Sequence, residues 1–330
     1  MKVGVGRTAV KETFSAYRAP RWLPGGHAQT LWPLLIKAAP PACRRERWDT
    51  PDGDFIDLDW ADAPGDAPLV LLFHGLEGSS ASHYATALLT ALREFGWAGA
   101  VAHFRGCSGE PNRLPRAYHS GDSAEIDWIL RRLRHAHPQR RLYAAGVSLG
   151  GNALLKWLGE QGSDADAIVD AAAAISAPLD LTACGHHLGR GFNRVYTQHF
   201  LRTLKPGAAE KLLRFPGLFD GSRMARARNL HDFDDAVTAP LHGFRDVADY
   251  WRRASAKPFL NGIRVPTLLL NARNDPFLPA HVLPQAGEVS AAVTLEQPQE
   301  GGHVGFVSGA WPGRLDWLPR RLLHFFAQHH

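Results

Sequence analysis

The sequence predicts an α/β fold, in which a mostly parallel central sheet carries helices on both faces and a helical cap is inserted into it. Three observations carry this. Short apolar runs alternate with helix-length amphipathic segments between residues 68 and 176. The alternation stops over residues 178–262, where helix-compatible stretches carry aromatic and basic side chains, and the strand pattern then resumes at Val265. Parallel strands cannot be joined by a tight turn and need crossovers, usually helical, so the rhythm calls for a sheet covered on both sides.

The elements follow in order. The first sixty residues read as an N-terminal extension plus the first strands, with WDTPDGDFIDLDW at 48–60 alternating around Asp52-Gly53 as a β-hairpin would. Residues 69–73, 98–103, 142–147 and 167–175 are strand candidates, each bounded by Gly, Pro or charged residues. Between them, residues 82–95, 122–134 and 149–160 space their apolar side chains every three to four positions, the period of an amphipathic helix. Residues 178–262 form the expected cap, 265–271 and 292–296 the last strands, and 312–327 a closing helix. One sheet with an insertion, a single domain over residues 1–330, accounts for this pattern better than two domains.

Composition bounds the function. Apolar residues make up 45% and charged residues 21%, the balance of an ordinary globular chain. The longest apolar runs, such as Leu69 to Phe73, fall far short of the roughly 20 residues that cross a bilayer. Met1 to Pro20 has scattered charges and no apolar signal region, which makes the cytoplasm the expected compartment. The net charge of +5 is spread along the chain, and its densest run, RRLRHAHPQRR at 131–141, reads as a solvated basic face. No nucleic-acid motif accompanies it, so no nucleic-acid partner is expected. The positive charge is compatible with peripheral contact at a membrane surface, although no amphipathic anchor is evident. Cys43, Cys107 and Cys184 lie far apart without ligand-like spacing and read as free thiols.

The strongest chemical signal is Gly146-Val147-Ser148-Leu149-Gly150-Gly151, a G-x-S-x-G pattern between a predicted strand and a predicted helix. Small residues there allow a sharp turn that lifts the serine hydroxyl clear of the sheet, at a helix start whose N–H groups favour negative charge. The alternative is that Ser148 only caps the helix. A serine hydroxyl is a weak nucleophile and needs a base, which in turn needs an orienting carboxylate. Asp275 follows the strand at 265–271, and His303, in Gly301-Gly302-His303-Val304-Gly305-Phe306, follows the strand at 292–296. The order Ser, Asp, His sets this chain apart from the other serine-triad orders. Of the 17 histidines, His186, His187, His199, His231 and His242 fall in the cap without strand-end context, as does the acid pair Asp234-Asp235.

Acyl transfer also needs two N–H donors for the tetrahedral oxyanion. Leu149 supplies one from the helix start, and the Leu76 amide, in the turn that Gly75 permits after the strand at 69–73, is the candidate for the second. His74 reads as a structural hydrogen-bonding ring. Arg105, in His103-Phe104-Arg105-Gly106-Cys107, could meet a substrate anion or pair with carboxylates to hold its loop, and Cys107 lacks an activating neighbour.

Taken together, HGLEGS at 74–79, HFRGCSGEPN at 103–112, GVSLGGN at 146–152 and GGHVGF at 301–306 make a longer signature. With GHAQT at 26–30, YHSGD at 118–122 and Phe233-Asp234-Asp235 leading through His242-Gly243-Phe244 to Asp275, the chain resembles, nearly end to end, the YheT-like branch of the α/β-hydrolases. These are esterases related to eukaryotic hydrolases of lipid esters. The resemblance implies the α/β-hydrolase fold and puts the family's serine, aspartate and histidine on Ser148, Asp275 and His303. Trp251 stands where the family has tyrosine, and Ala124-Glu125-Ile126 replaces a more acidic run; both bear on pocket detail.

The expectation is a serine carboxylic-ester hydrolase with an acyl-enzyme intermediate, a small-molecule ester substrate of short-to-medium acyl or lipid type, and no metal or organic cofactor. The cap aromatics Phe192, Tyr196, Phe200, Phe215 and Phe219 are candidates to line the acyl pocket, with core packing the alternative for each. An acyltransferase would share the triad, and a non-catalytic binding protein would share the fold. An epoxide hydrolase or dehalogenase would place aspartate where Ser148 stands.

Overall fold

The computed structural model describes residues 14–36 and 39–329. Eight strands, β1 (Arg44–Asp49), β2 (Phe55–Ala61), β3 (Leu69–Phe73), β4 (Ala98–Ala102), β5 (Leu142–Val147), β6 (Ala171–Ile175), β7 (Thr267–Leu270) and β8 (Val293–Glu296), form one sheet in the order 1-2-4-3-5-6-7-8. The β1–β2 and β2–β4 pairings are antiparallel and the rest are parallel. The central strands are apolar on both faces because both are covered. Leu69, Leu71 and Phe73 of β3 enter one core, Val70 and Leu72 the other.

Helix α1 (Gly26–Leu31) precedes the sheet. Helices α3 (Ser123–Ala136) and α4 (Leu149–Gln161) cover one face through side chains such as Ile126, Leu130, Leu154 and Trp157. Helix α2 (His83–Glu94) and the C-terminal helix α11 (Trp317–Ala327) cover the other through Leu88, Leu92, Leu322 and Phe326. The edge strand β1 is protected by charge, with Arg45 directly opposite Asp59 and Arg47 opposite Asp57 on β2, each pair joined by a two-bond guanidinium–carboxylate fork.

Between β6 and β7 the chain contains no strand. It forms α5 (Leu181–Leu188), α6 (Arg194–Arg214), α7 (Gly221–Arg226), α8 (Leu230–Phe233), a π-turn over Asp234–Thr238, α9 (Ala239–Leu241) and α10 (Val247–Ala254). These helices bury small apolar clusters of their own, one around Leu201, Met224 and Phe233 and another around Leu181, Val247 and Trp251. Among the described residues, no helix is long and apolar enough to cross a membrane.

Two local expectations need correction. The strand expected over 167–175 starts at Ala171, because residues 162–167 form a 3-10 turn and Asp170 accepts the Leu142 N–H and pairs with Arg134 and Arg141. The helix expected over 312–327 starts at Trp317, since Pro312 lies in a turn closed by the Ser308–Arg314 bridge. The basic run at 131–141 keeps Arg131, Arg132, His135 and Arg141 exposed, as a solvated face does, while several of its side chains find partners. Arg131 pairs with Asp127, Arg140 donates to the Ala67 carbonyl, and the Arg132 guanidinium lies 4.5 Å from the centre of the Trp48 ring.

His74, fully buried at the end of β3, ties two strand ends together. Its Nδ1–H donates to the Gly75 carbonyl at 2.7 Å, and its Nε2 accepts the Phe104 N–H at 3.0 Å. Burial pushes this imidazole down to about 3. The unfolded chain takes up the proton below about 6.5 while the folded chain does not, so this group's stabilisation is complete above that pH and fades as pH falls toward 3. His74→Leu, which strands the Phe104 N–H, should cost about 1–3 kcal/mol at neutral pH. It should also flatten the fall of the urea midpoint between pH 7 and pH 4; an equally steep fall in the variant would refute the assignment.

Candidate active site

The strand ends bring the sequence candidates to one edge of the sheet, where ligands bind in open α/β sheets. Ser148 follows β5 directly and begins the turn into α4 with φ 52° and ψ −117°. A non-glycine residue held there stores about 1–3 kcal/mol of strain and persists only where its surroundings enforce it. The Ser148 N–H donates to Ile175 of β6 at 2.8 Å, and its carbonyl accepts the Asn152 N–H at 3.0 Å. The turn also needs glycine at 150, where a Cβ would collide with the carbonyls of Phe73 and His74.

The His303 Nε2 lies 3.0 Å from the Ser148 hydroxyl, and its Nδ1 lies 2.8 Å from Asp275 Oδ2. The Asp275 side chain is wholly buried, and its second oxygen accepts the Phe277 N–H at 2.8 Å. The Phe277 ring stacks on the imidazole at 3.9 Å, which holds the ring plane. With Nδ1–H donating to the carboxylate, Nε2 is left as an acceptor facing the serine O–H. Residues 148, 275 and 303, far apart in the chain, therefore form one hydrogen-bonded line.

Leu76 and Leu149 border the same cavity as Ser148 and His303. Leu149 is the first residue of α4, so its N–H has no acceptor within the helix. The Leu76 turn is held by the Gly75 N–H donating to the Tyr84 hydroxyl and the Glu77 N–H donating to the Tyr118 hydroxyl, both at 2.9 Å. A Cβ on Gly75 would stand 3.3 Å from the Ser148 Cβ, so only the smallest residue lets the turn come so close.

The cavity measures about 420 Å³ and runs from these residues under α5, α6 and α10. Of the five cap aromatics expected to line it, Phe200 and Phe219 do. Phe192 is exposed, Tyr196 packs against His27 and Phe277, and Phe215 lies beyond the end of α6. Trp251 lines the cavity, and its indole N–H donates to Asp234 at 2.8 Å. Burial pushes the Asp234 carboxyl up to about 6, against the hydrogen bonds from Thr238 and Trp251. Arg105 is committed to Glu125, Asp52 and Asp54, which leaves it holding its loop. Burial pushes the Cys107 thiol up to about 12, far from a reactive thiolate. Among the described residues, no group of three or more His, Cys, Asp or Glu side chains is placed to hold a metal ion.

Sequence reasoning attached no role to Gln29. Fully buried on α1, it accepts the Gly301 N–H and the Asn274 side-chain amide through Oε1, both at 2.9 Å, and donates from Nε2 to the Leu23 carbonyl and Glu300. Asn274 in turn accepts the Gly302 N–H, and Thr30 accepts the His303 N–H. One helix from the N-terminal extension thus fixes both the loop of Asp275 and the loop of His303. The local signal was the buried polar pair Gln29-Thr30 in GHAQT, whose partners lie about 270 residues away.

An eight-stranded sheet with one helical insertion and a Ser–His–Asp line at its carboxyl edge defines an α/β-hydrolase, and the chain belongs to that family: residues 68–310 match the family model described as alpha/beta hydrolase fold. Within it the chain falls in the YheT-like branch, being 42% identical over 90% of its length to "Putative esterase YheT" of Escherichia coli K12, with 88% of that protein covered. Phospholipase ABHD3 of Mus musculus is 31% identical over 92% of this chain and 76% of its own. Among solved structures, the Pyrococcus furiosus esterase Pf2001 superposes with a TM-score of 0.55 at 16% identity, covering 87% of this chain and 92% of its own. The protein is a carboxylic ester hydrolase of the esterase and lipase type.

Gln29→Ala should lower kcat by about 10²-fold with little change in KM, because it loosens the His303 and Asp275 loops without touching the cavity. Steady-state kinetics on a soluble ester tests this; a loss confined to KM would place Gln29 in substrate binding instead.

Proposed function

We infer that the protein hydrolyses carboxylic esters through Ser148, His303 and Asp275 by way of an acyl-enzyme, and that its substrates are short-to-medium acyl esters or lipid esters. The observation that carries this is the unbroken line from Asp275 through His303 to a serine hydroxyl on a strained turn facing the cavity. In the first step His303 Nε2 takes the Ser148 proton as the oxygen attacks the ester carbonyl. The Leu76 and Leu149 N–H groups receive the resulting oxyanion, and His303 then protonates the leaving alcohol. Water repeats the cycle on the acyl-enzyme, with the proton again passing through Nε2. Asp275 stays ionised, holds the Nδ1–H tautomer and stabilises the imidazolium.

The cavity and the relatives support this substrate class. The walls facing the serine are mainly apolar, with Leu181, Leu188, Leu204, Phe200 and Val237 among them, which suits an acyl chain. The named activities of relatives, a phospholipase and a monoacylglycerol lipase, lie on lipid esters.

Ser148→Ala should reduce turnover of p-nitrophenyl butyrate by about 10⁴-fold or more and abolish labelling by a fluorophosphonate probe, while Asp275→Asn should retain labelling weakly and lose about 10⁴-fold in kcat. Wild-type turnover in Ser148→Ala would end the proposal. Across p-nitrophenyl esters from acetyl to palmitoyl, kcat/KM should peak at short-to-medium chains; a flat profile would show that the cavity does not bound the acyl group.

A further inference from the structure

We propose that the protein docks on anionic lipid surfaces through one apolar face that adjoins the candidate active site on its Phe277 side. Among the described residues eight large apolar side chains are well exposed, and six of them, Leu31, Leu34, Leu35, Phe192, Val195 and Trp311, belong to three segments that meet on this face. The connections are direct. Trp32, between Leu31 and Leu34, donates its indole N–H to the Pro312 carbonyl at 2.8 Å and packs on Trp22 at 5.3 Å. Trp22 donates to Gly309 at 3.1 Å, which ties the Trp311 turn to the same group. One turn earlier on α1, the His27 ring lies 4.7 Å from Phe192, which sits in the 3-10 turn before α6, and Val195 is in the first turn of α6.

Exposed apolar side chains scattered singly need no explanation, but a contiguous group marks a contact surface. Leu34, Leu35 and Trp311 are 63%, 67% and 71% exposed, which gives up solvation advantage unless something covers them. The charge around them chooses the partner. Residues 14–36, 189–195 and 309–314 contain no Asp or Glu, yet they contain Arg18, Arg21, Arg190, Arg194 and Arg314. The first four are exposed and, among the described residues, have no carboxylate partner, whereas most arginines elsewhere on this protein are paired. An apolar centre with a cationic rim fits a bilayer with anionic headgroups, each arginine near such a surface strengthening binding about fivefold.

The face is also connected to the candidate active site through packed rings. The Phe192–His27 contact continues through Tyr196, whose hydroxyl is 3.0 Å from His27 and whose ring lies 4.8 Å from Phe277, to the stack of Phe277 on His303. A search of the sequence for an amphipathic anchor misses this surface because it is assembled from three distant segments. Its purpose, delivery of a lipid ester, rests on the hydrolase reading above, but its existence does not.

The test is cosedimentation with phosphatidylcholine vesicles made with and without phosphatidylglycerol. The wild type should bind the anionic vesicles and prefer them. L34S/L35S/W311S should lower binding at least about tenfold, and R21E/R190E/R194E should remove the preference. Both variants should keep wild-type turnover of p-nitrophenyl butyrate, which separates a docking defect from a catalytic or folding one. Failure of the wild type to bind anionic vesicles, or unchanged binding by the apolar variant, overturns the proposal. A wild-type dimer in sedimentation velocity that the apolar variant dissociates, without vesicle binding, assigns the face to a second copy of the chain and overturns it equally.

Discussion

The strained turn at Ser148 is the constraint around which the rest of the site is arranged. A left-handed serine between β5 and α4 cannot relax, because its N–H is held by β6 and its helix begins against the end of β3. That contact sets which residues can follow. Position 150 must be glycine for the helix to start against the carbonyls of Phe73 and His74, and Gly75 must be small for its turn to sit beside Ser148. The backbone of the candidate nucleophile and the candidate oxyanion turn are thus one packing problem, solved by the same small residues.

Holding the other two members is a separate problem, solved from the far end of the chain. Loops after parallel strands have no sheet partners of their own, and those of Asp275 and His303 are long. Their backbone donors are satisfied by side chains of α1, with Gln29 and Asn274 passing hydrogen bonds between the two loops and Ser176 receiving the Val304 N–H from below. Val304 and Phe306 have positive φ, so this loop also departs from relaxed geometry and depends on those bonds. The N-terminal extension is in this sense part of the site, although none of its described residues borders the cavity.

The sequence was most informative where structure is local. The buried strands announce themselves as short apolar runs, and Ser148, Asp275 and His303 are legible because each stands at a strand end within its own short motif. What escaped were relations between distant residues. Asp170 reads as part of a strand until its partners, the Leu142 N–H and two arginines of the 131–141 run, are in place. Equally, nothing in the spacing of Phe192, Tyr196, Phe200, Phe215 and Phe219 says that α6 turns only Phe200 toward the cavity, and that Tyr196 faces Phe277 instead. Helical period identifies a face, but which neighbour covers that face is a property of the fold.

A second imidazole–carboxylate pair shows why geometry rather than residue type assigns the base. His103 and Asp59 are both buried, with Nε2 and Oδ2 2.9 Å apart, against 2.8 Å in the His303 pair. Asp59 also receives the Ser80 hydroxyl, so a serine, a histidine and an aspartate are gathered there too. The connectivity is wrong for catalysis. The serine contacts the carboxylate rather than the imidazole, the carboxylate is forked by Arg45, and the remaining nitrogen of His103 faces the Cys107 carbonyl at 3.3 Å. Both nitrogens of that ring face acceptors, a carboxylate and a carbonyl, so neither faces a hydroxyl, and none of the three residues borders the cavity. At His303 the second nitrogen faces a hydroxyl at the cavity wall, with the carboxylate behind it. The same three residue types hold a loop in one place and line up from carboxylate to hydroxyl in the other, and the difference lies in which group each imidazole nitrogen faces.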